Sequence, residues 1–500
     1  MKQVQQTPEG PESPFHPHVT AGRSRAAFFG VIWSALHALV PTLSSAAVFF
    51  ISALFLTPQD FGTVGLASGM VSFAIAFSPV AFGEALVQRS RICRRHADSL
   101  FWASAVFAAA LFAVFLLGAP LLTRMSGEPG VRAMLPVLAL RIPFELLAVV
   151  PNAMIIRAMK FKLIALRTAV AATVSGVVSV AMLLSGFGYW ALVASQVLAS
   201  AVICLMAFSV ARWRPGRGLD VAALKDLWSY GSFASADRML NTMKLDHILL
   251  GALAGTHVLG LYYFGQRLFN LLLSLVGGAL SSVTHVLLSS LQDDLARSRD
   301  AFMIASYVSS AVSFPMFSGL ALIAPELVPW FFGAQWAEAV IVIQGFCVVG
   351  MLASIGIVQG ALVKAQGRVN WWFYYQLAQH VGTFLVLALG FGAGLRIMML
   401  ALIAKFIVLW PISIVMTARL LKMRPSAYVL NFARPLLAMS AMTAAVMLVS
   451  NRTADAGVAV RVAGQIAAGA LVYSSAILAL SHEQLRRVHH MVFPARRQAI

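Results

Sequence analysis

Thr168–Ala211 reads TAVAATVSGVVSVAMLLSGFGYWALVASQVLASAVICLMAFSVA, with no Asp, Glu, Lys or Arg. A membrane-crossing helix needs roughly 20 apolar residues. The stretch is long enough for two, and Gly186-Phe187-Gly188 supplies a turn between them. Ala26–Gln59, Ala301–Pro325 and Val369–Leu395 are equally free of charge. Over the whole chain of 500 residues, 60% are hydrophobic and 11% charged, with a mean hydropathy of +0.83. Soluble domains carry about a quarter charged residues. Lipid must therefore be the solvent for much of this surface, and in lipid the backbone satisfies its own hydrogen bonds by forming helices. The expected fold is an all-α polytopic membrane protein.

Hydropathy predicts about fourteen spans, at 26–56, 61–88, 98–118, 131–156, 163–185, 189–211, 227–253, 258–290, 301–323, 339–363, 370–394, 397–418, 428–449 and 459–480. The net charge of +19 is explained by loops rather than nucleic acid. One side carries Arg89, Arg91, Arg94, Arg95, Arg157, Lys160, Lys162, Arg167, Arg212, Arg214, Arg217, Lys225, Arg297, Arg299, Lys364, Arg368, Arg419, Lys422 and Arg424, then Arg486, Arg487, Arg496 and Arg497 of the tail; the other holds only Arg124, Arg132, Arg396, Arg452 and Arg461. This asymmetry places both termini in the cytoplasm and requires an even span count. Residues 1–24 read as a disordered cytoplasmic tail and 485–500 as a basic one, with no cleavable signal peptide ahead of the first span. Trp371, Trp372, Tyr374 and Tyr375 read as an interfacial anchor. The longest far-side loops, Gly118–Gly130 and Ala324–Glu338, are too short for a catalytic platform.

The two halves echo each other. Leu56-Thr57-Pro58-Gln59-Asp60-Phe61-Gly62 matches Ala254-Gly255-Thr256-His257-Val258-Leu259-Gly260 in placement between helices. Arg157-Ala158-Met159-Lys160 opens a helix that ends at Gly186-Phe187-Gly188, and Lys364-Ala365-Gln366-Gly367 opens one that ends at Gly390-Phe391-Gly392. Copies about 200 residues and six spans apart keep the same orientation, a parallel repeat of the kind that places substrate between lobes. The expected lobes are 25–218 and 219–424, with two further spans in 425–484.

Leu56–Ala67 (LTPQDFGTVGLA), Phe82–Arg89 (FGEALVQR), Leu259–Tyr263 (LGLYY) and Leu287–Asp294 (LLSSLQDD) resemble the polysaccharide-biosynthesis flippases of the multidrug/oligosaccharidyl-lipid/polysaccharide exporter superfamily. The resemblance covers roughly residues 25–425. It implies two six-helix lobes around a central cavity, two extra C-terminal helices and alternating access. It implies as substrate a sugar chain on an undecaprenyl pyrophosphate carrier, and no cofactor. Partners would be membrane lipids and the polysaccharide polymerase and chain-length proteins of one pathway, serving exopolysaccharide, capsule or O-antigen assembly. It transfers no substrate-binding residue.

Charges at membrane depth cost roughly 2.5–3.5 kcal/mol each, so they face protein or a watery cavity. Arg141 and Glu145 lie four residues apart in span four, with Asn152 further along that face. They are either a self-neutralising structural pair or part of a substrate path. In span seven, Tyr230, Asp237, Asn241 and Lys244 fall within about 60° of one another on a helix, with Arg238 to one side and Asp246 opposite. Arg267 and Asn270 follow in span eight, and a lone Lys405 sits near the middle of span twelve. Arg141, Arg238, Lys244, Arg267 and Lys405 are candidate anion-binding residues for pyrophosphate. Asp237, Asp246 and Glu145 are candidate cation-coupling groups. Tyr230, Asn241, Asn152 and Asn270 are candidate cavity lining. Glu84 reads as a loop anchor, and His37, His247 and His285 as packing residues or proton relays.

Several chemistries are excluded. There is no Walker A sequence, HExxH, GxSxG or clustered Cys/His set. Cys93, Cys204 and Cys347 have no metal spacing and read as structural or loop thiols. These readings favour a secondary transporter over an enzyme. A drug/cation antiporter of the same superfamily would want an acidic or apolar cavity, and a membrane polymerase or ligase would want large periplasmic loops.

Overall fold

The computed structural model describes residues 40–79, 82–89, 92–211, 213–216, 218–227, 239, 242–290, 294–481 and 484. Among them every regular element is helical. In chain order these are α1 (Val40–Phe55), α2 (Pro58–Ala76), α3 (Phe82–Gln88), α4 (Arg94–Ser126), α5 (Pro129–Ala139), α6 (Arg141–Leu147), α7 (Val149–Arg157), α8 (Phe161–Leu184) and α9 (Trp190–Ala211). They continue with α10 (221–227), α11 (Leu245–Leu253), α12 (Gly255–Ser290), α13 (Leu295–Phe332), α14 (Ala339–Ala365), α15 (Val369–Gly390), α16 (Leu395–Leu420), α17 (Pro425–Leu430), α18 (Ala433–Arg452) and α19 (Val458–Leu480). Among the described residues, ten spans, some made of consecutive helices, are long and apolar enough to cross a membrane. Leu117 and Leu389 keep 80% and 82% of their surface bare, as lipid-facing side chains do.

The chain divides into two compact units, Met1–Leu56 with Thr63–Ala252, and Thr57–Gly62 with Leu253–Ile500. The first unit is centred on Leu86, Leu100, Phe101, Val150, Met154, Ala207 and Trp213, with Phe101 edge-on to Trp213 at 5.6 Å. The second is centred on Phe302, Ile355, Leu362, Ile414, Tyr428 and Phe432. In it α13 presents Ser306, Ser309, Ser310 and Ser313, all buried. Ser309 Oγ donates to the Ser354 carbonyl at 2.9 Å, and Ser354 Oγ donates to Ser313 Oγ at 2.7 Å. Small hydroxyl residues let α13 and α14 approach closely while satisfying their own polar atoms. The last two helices are tied to α13 through one carboxylate. Glu326 Oε1 accepts from Ser450 Oγ and Gln465 Nε2, both at 3.1 Å, and Oε2 lies 2.8 Å from Arg461 Nε.

Four predicted spans that contain or adjoin prolines are redrawn. The span expected at 131–156 is three helical segments, broken at Leu140 and Ala148 between Pro136, Pro143 and Pro151. Each proline removes a backbone donor from the helical ladder. The span expected at 61–88 breaks between α2 and α3, around Pro79. The loops expected at 118–130 and 324–338 are shorter still, because α4 runs through Pro120 to Ser126 and α13 through Pro325 and Pro329 to Phe332.

The two echoes have matching local geometry. α7 ends with Met159 in the left-handed region (φ 51°) and Lys160 N–H donating to the Ile155 carbonyl. α14 ends with Gly367 left-handed (φ 72°) and Arg368 N–H donating to the Val363 carbonyl. Both are Schellman-type ends, which favour glycine at the left-handed position. Met159 fills that position with a side chain. Met159→Gly is therefore expected to stabilise the protein by about 1 kcal/mol, read as a raised Tm in detergent; an unchanged or lowered Tm would contradict this account of the helix end.

The other echo meets itself. A Cβ added at Gly62 would collide with the Thr256 carbonyl, and one at Gly260 with the Pro58 carbonyl. Pro58/Gly62 and Thr256/Gly260 have the same spacing, so α2 and α12 cross backbone to backbone with each glycine under the other's first-turn carbonyl. Thr57 fixes the start of α2: its N–H and Oγ donate to Asp60 Oδ2 at 2.9 and 2.7 Å, and the Asp60 N–H returns to Thr57 Oγ at 3.2 Å.

Candidate substrate site

Arg141 and Glu145 come together in the first unit as the sequence spacing requires. Arg141 Nη2 donates to Glu145 Oε1 at 3.1 Å. Arg141 Nη1 donates to Gln196 Oε1 at 2.9 Å, and Ser200 Oγ donates to Glu145 Oε1 at 3.3 Å. Gln196 and Ser200 are four apart on α9, so two i,i+4 pairs on facing helices interlock. Their side-chain exposures, 16% for Arg141 and 32% for Glu145, leave the pair half-buried. Arg141 Nε is buried without a hydrogen-bond partner among the described residues. Chemically this is a guanidinium held by one carboxylate and one amide, with a donor to spare.

Asn152 departs from that cluster. It accepts from Arg167 Nη1 of α8, and Arg167 is buried. The break at Ala148 lies between α6, which carries Arg141, and α7, which carries Asn152. Arg157, which reads as a loop cation in the sequence, is also buried, and its guanidinium donates to the Leu86 and Val87 carbonyls at the end of α3. Spacing alone does not reveal these two arginines, since their partners are far away in the chain or carry no charge.

Tyr230, Asp237, Arg238 and Asn241 lie outside the described residues, as does His37. Lys244 is half-buried, and the chain leaves helical geometry at Met243 and Lys244 before α11 begins. The stripe expected on one unbroken helix through Lys244 is thus interrupted there. Asp246 sits half-buried in the first turn of α11. His247 is buried on α11 against Gly69 of α2. Glu84 is exposed in the first turn of α3.

In the second unit Arg267 is half-buried on α12, Asn270 is exposed, and His285 belongs to the same helix. Lys405 is held between α16 and α15. Its Nζ donates to Gln379 Oε1 and Thr383 Oγ1, both at 2.9 Å, and to the Gln379 carbonyl at 3.3 Å. Three N–H donors meet three neutral acceptors, and among the described residues no carboxylate pairs with it. That arrangement satisfies the ammonium within the helix pair. At the start of α15, Arg368 lies 5.3 Å from the Trp371 ring, a cation–π contact at the expected aromatic anchor.

A family profile described as polysaccharide biosynthesis protein matches residues 51–341, more than half of the chain. The chain belongs to this family. Its relatives include teichuronic acid biosynthesis protein TuaB of Bacillus subtilis, 24% identical over 89% of this chain and 93% of the relative. Succinoglycan biosynthesis transport protein ExoT of Rhizobium meliloti is 27% identical over 58% of this chain and 59% of its own. Lipopolysaccharide biosynthesis protein WzxC of Escherichia coli is 24% identical over 68% and 70%. The fold is that of the lipid II flippase MurJ in an inward closed conformation, with a TM-score of 0.71 at 13% identity, covering 92% of this chain and 99% of that one. An inward-facing multidrug MATE transporter is less similar, with a TM-score of 0.57 at 14% identity, covering 78% and 99%. The polysaccharide-biosynthesis member is thus a multi-pass, all-helical membrane protein.

Proposed function

We propose that the protein moves a lipid-linked oligosaccharide repeat unit across the bacterial inner membrane by alternating access, from the cytoplasmic to the periplasmic leaflet, for a surface polysaccharide. The observation that carries this reading is the family match over 51–341. The relatives are named for the biosynthesis of teichuronic acid, succinoglycan and lipopolysaccharide, and one is named a transport protein. The described connections are short, as a carrier needs and a membrane polymerase does not. Both termini lie in the cytoplasm on the charge asymmetry of the loops.

In this reading Arg141 binds the anion in the first unit, with Arg238 and Lys244 as further candidates there, and Arg267 is a candidate in the second unit. A proton delivered to Glu145 weakens its hold on Arg141, and the freed guanidinium then takes a phosphate oxygen of the carrier. Lys405 contributes positive potential but has its donors engaged. Asp237 and Asp246 remain candidates for coupling. Polysaccharide polymerase and chain-length proteins are the expected partners.

Deletion of the gene tests this directly. The lipid-linked repeat unit should accumulate in the inner leaflet, and the surface polysaccharide should be lost. Normal polysaccharide in a deletion strain with no related exporter would rule the proposal out. Arg238→Ala and Lys244→Ala should each lower export at least about tenfold with insertion intact, the size expected for losing a charged contact; wild-type export by both would remove them from the site. Asp237→Asn should alter the dependence of export on the proton gradient, and no change would move coupling elsewhere.

A further inference from the structure

The start of α4 carries a cluster that the transport reading does not use. Cys93 is the residue that caps α4, and its side chain is exposed. Its Sγ lies 2.9 Å from His96 Nδ1, which also accepts the Cys93 backbone N–H at 3.2 Å. A ring nitrogen that accepts from a backbone amide presents its lone pair, so the neutral ring carries its proton on Nε2. Nε2 lies 3.6 Å from Asp226 Oδ2, which Arg89 Nη2 also approaches at 3.3 Å. A thiol therefore faces the basic nitrogen of an imidazole that is backed by a carboxylate. That is the constellation by which a histidine takes the proton of a nucleophilic cysteine.

The same two turns of α4 hold down the connection between α9 and α10. Asp98 Oδ1 accepts the Gly216 N–H at 3.1 Å, and Ser99 Oγ accepts the Asp220 N–H at 2.8 Å. Trp102 Nε1 donates to the Gly216 carbonyl at 2.8 Å. His96 and Arg89 add the contacts to Asp226, so side chains fasten Gly216, Asp220 and Asp226. Cys204 and Cys347 are buried and serve as internal controls.

We infer that Cys93, His96 and Asp226 form a thiol-modification site for small disulfides of the glutathione type, and that modification unfastens Asp226, and with it α10, from the start of α4. His96 Nδ1 takes the S–H proton, and the Cys93 sulfur attacks one sulfur of the disulfide. A new S–S bond forms to Cys93, the S–S bond of the small disulfide breaks, and its other half leaves as a thiolate. Cys93 is oxidised and the small disulfide is reduced, with no further oxidant needed. The bulky adduct cannot keep Sγ against Nδ1, so the ring loses its place beside Asp226.

The test uses the full-length protein in detergent with oxidised glutathione, followed by intact-mass spectrometry and brief trypsin digestion. The wild type should gain one adduct, at Cys93, about tenfold faster than His96→Gln does, because the variant lacks the nitrogen that takes the thiol proton. Asp226→Asn, which preserves size, should slow the reaction about threefold by removing the charge behind the ring. After modification, cleavage at the exposed Lys225 should rise several-fold, and Cys93→Ser should show neither adduct nor increased cleavage. Equal reaction rates in the wild type and both variants would overturn the site. Unchanged cleavage at Lys225 after full modification would overturn the unfastening.

Discussion

Gly62→Ala is expected to unfold or mislocalise the protein, although it adds one methyl group. The Cβ would meet the Thr256 carbonyl well inside van der Waals contact, and backbone cannot rotate away as a flexible side chain would. The cost should be about 3 kcal/mol or more, at the upper end for overpacking. Gly260→Ala should behave the same way against the Pro58 carbonyl, because the crossing is reciprocal. Gly118→Ala is the control. Gly118 lies inside α4 with open space around it, so alanine there should be neutral or stabilising by about 0.5–1 kcal/mol. Fluorescence-detected size exclusion with a thermal ramp reads all three. A wild-type Tm for Gly62→Ala and Gly260→Ala would show that α2 and α12 do not cross backbone to backbone.

Arg141→Ala is expected to abolish export. The substitution leaves Glu145 half-buried with Ser200 as its remaining donor among the described residues, so a single loss cannot separate folding from function. The pair Arg141→Met with Glu145→Met separates them. Replacing both members of an ion pair by apolar residues of similar volume is commonly neutral for stability. The double variant should therefore reach the membrane at wild-type level with a wild-type Tm, yet export should fall at least about a hundredfold, the scale of losing a charged hydrogen-bonded contact to a phosphate. Glu145→Gln alone should leave Arg141 permanently available and reduce the dependence of export on the proton gradient. If the double variant exports normally, the pair is structural and the substrate path lies elsewhere.

Much of the fold was legible because lipid makes a simple demand: apolar helices of sufficient length. The charge-free stretch Thr168–Ala211 became α8 and α9, joined by Gly186-Phe187-Gly188 with both glycines left-handed. Helix interruptions were less legible. Hydropathy ignores the loss of a backbone donor, so a span that reads as continuous is broken three residues ahead of Pro143 and of Pro151, whereas Pro136 lies inside α5 and Pro120 and Pro325 left their helices running past the predicted ends. Of the candidate site, the Arg141–Glu145 pair followed from helical spacing, because both partners lie one turn apart. Gln196 and Ser200 were hidden, being neutral and contributed by another helix. Glu326 was hidden by the assignment of 324–338 to a loop, yet it anchors α18 and α19 to α13. Arg157 and Arg167 were hidden because their partners are backbone carbonyls and a distant asparagine.

On the proposed function, this chain alone suffices to move a polyprenyl-pyrophosphate-linked glycan from one leaflet to the other. This is tested most directly in proteoliposomes containing the purified protein and a fluorescent lipid-linked oligosaccharide taken from the strain lacking the gene. A membrane-impermeant quencher then reports which leaflet holds the label. Movement of the glycolipid should depend on the protein, and Arg141→Met/Glu145→Met should not support it. Leaflet distribution identical to protein-free vesicles, with transport of a cationic dye instead, would contradict it.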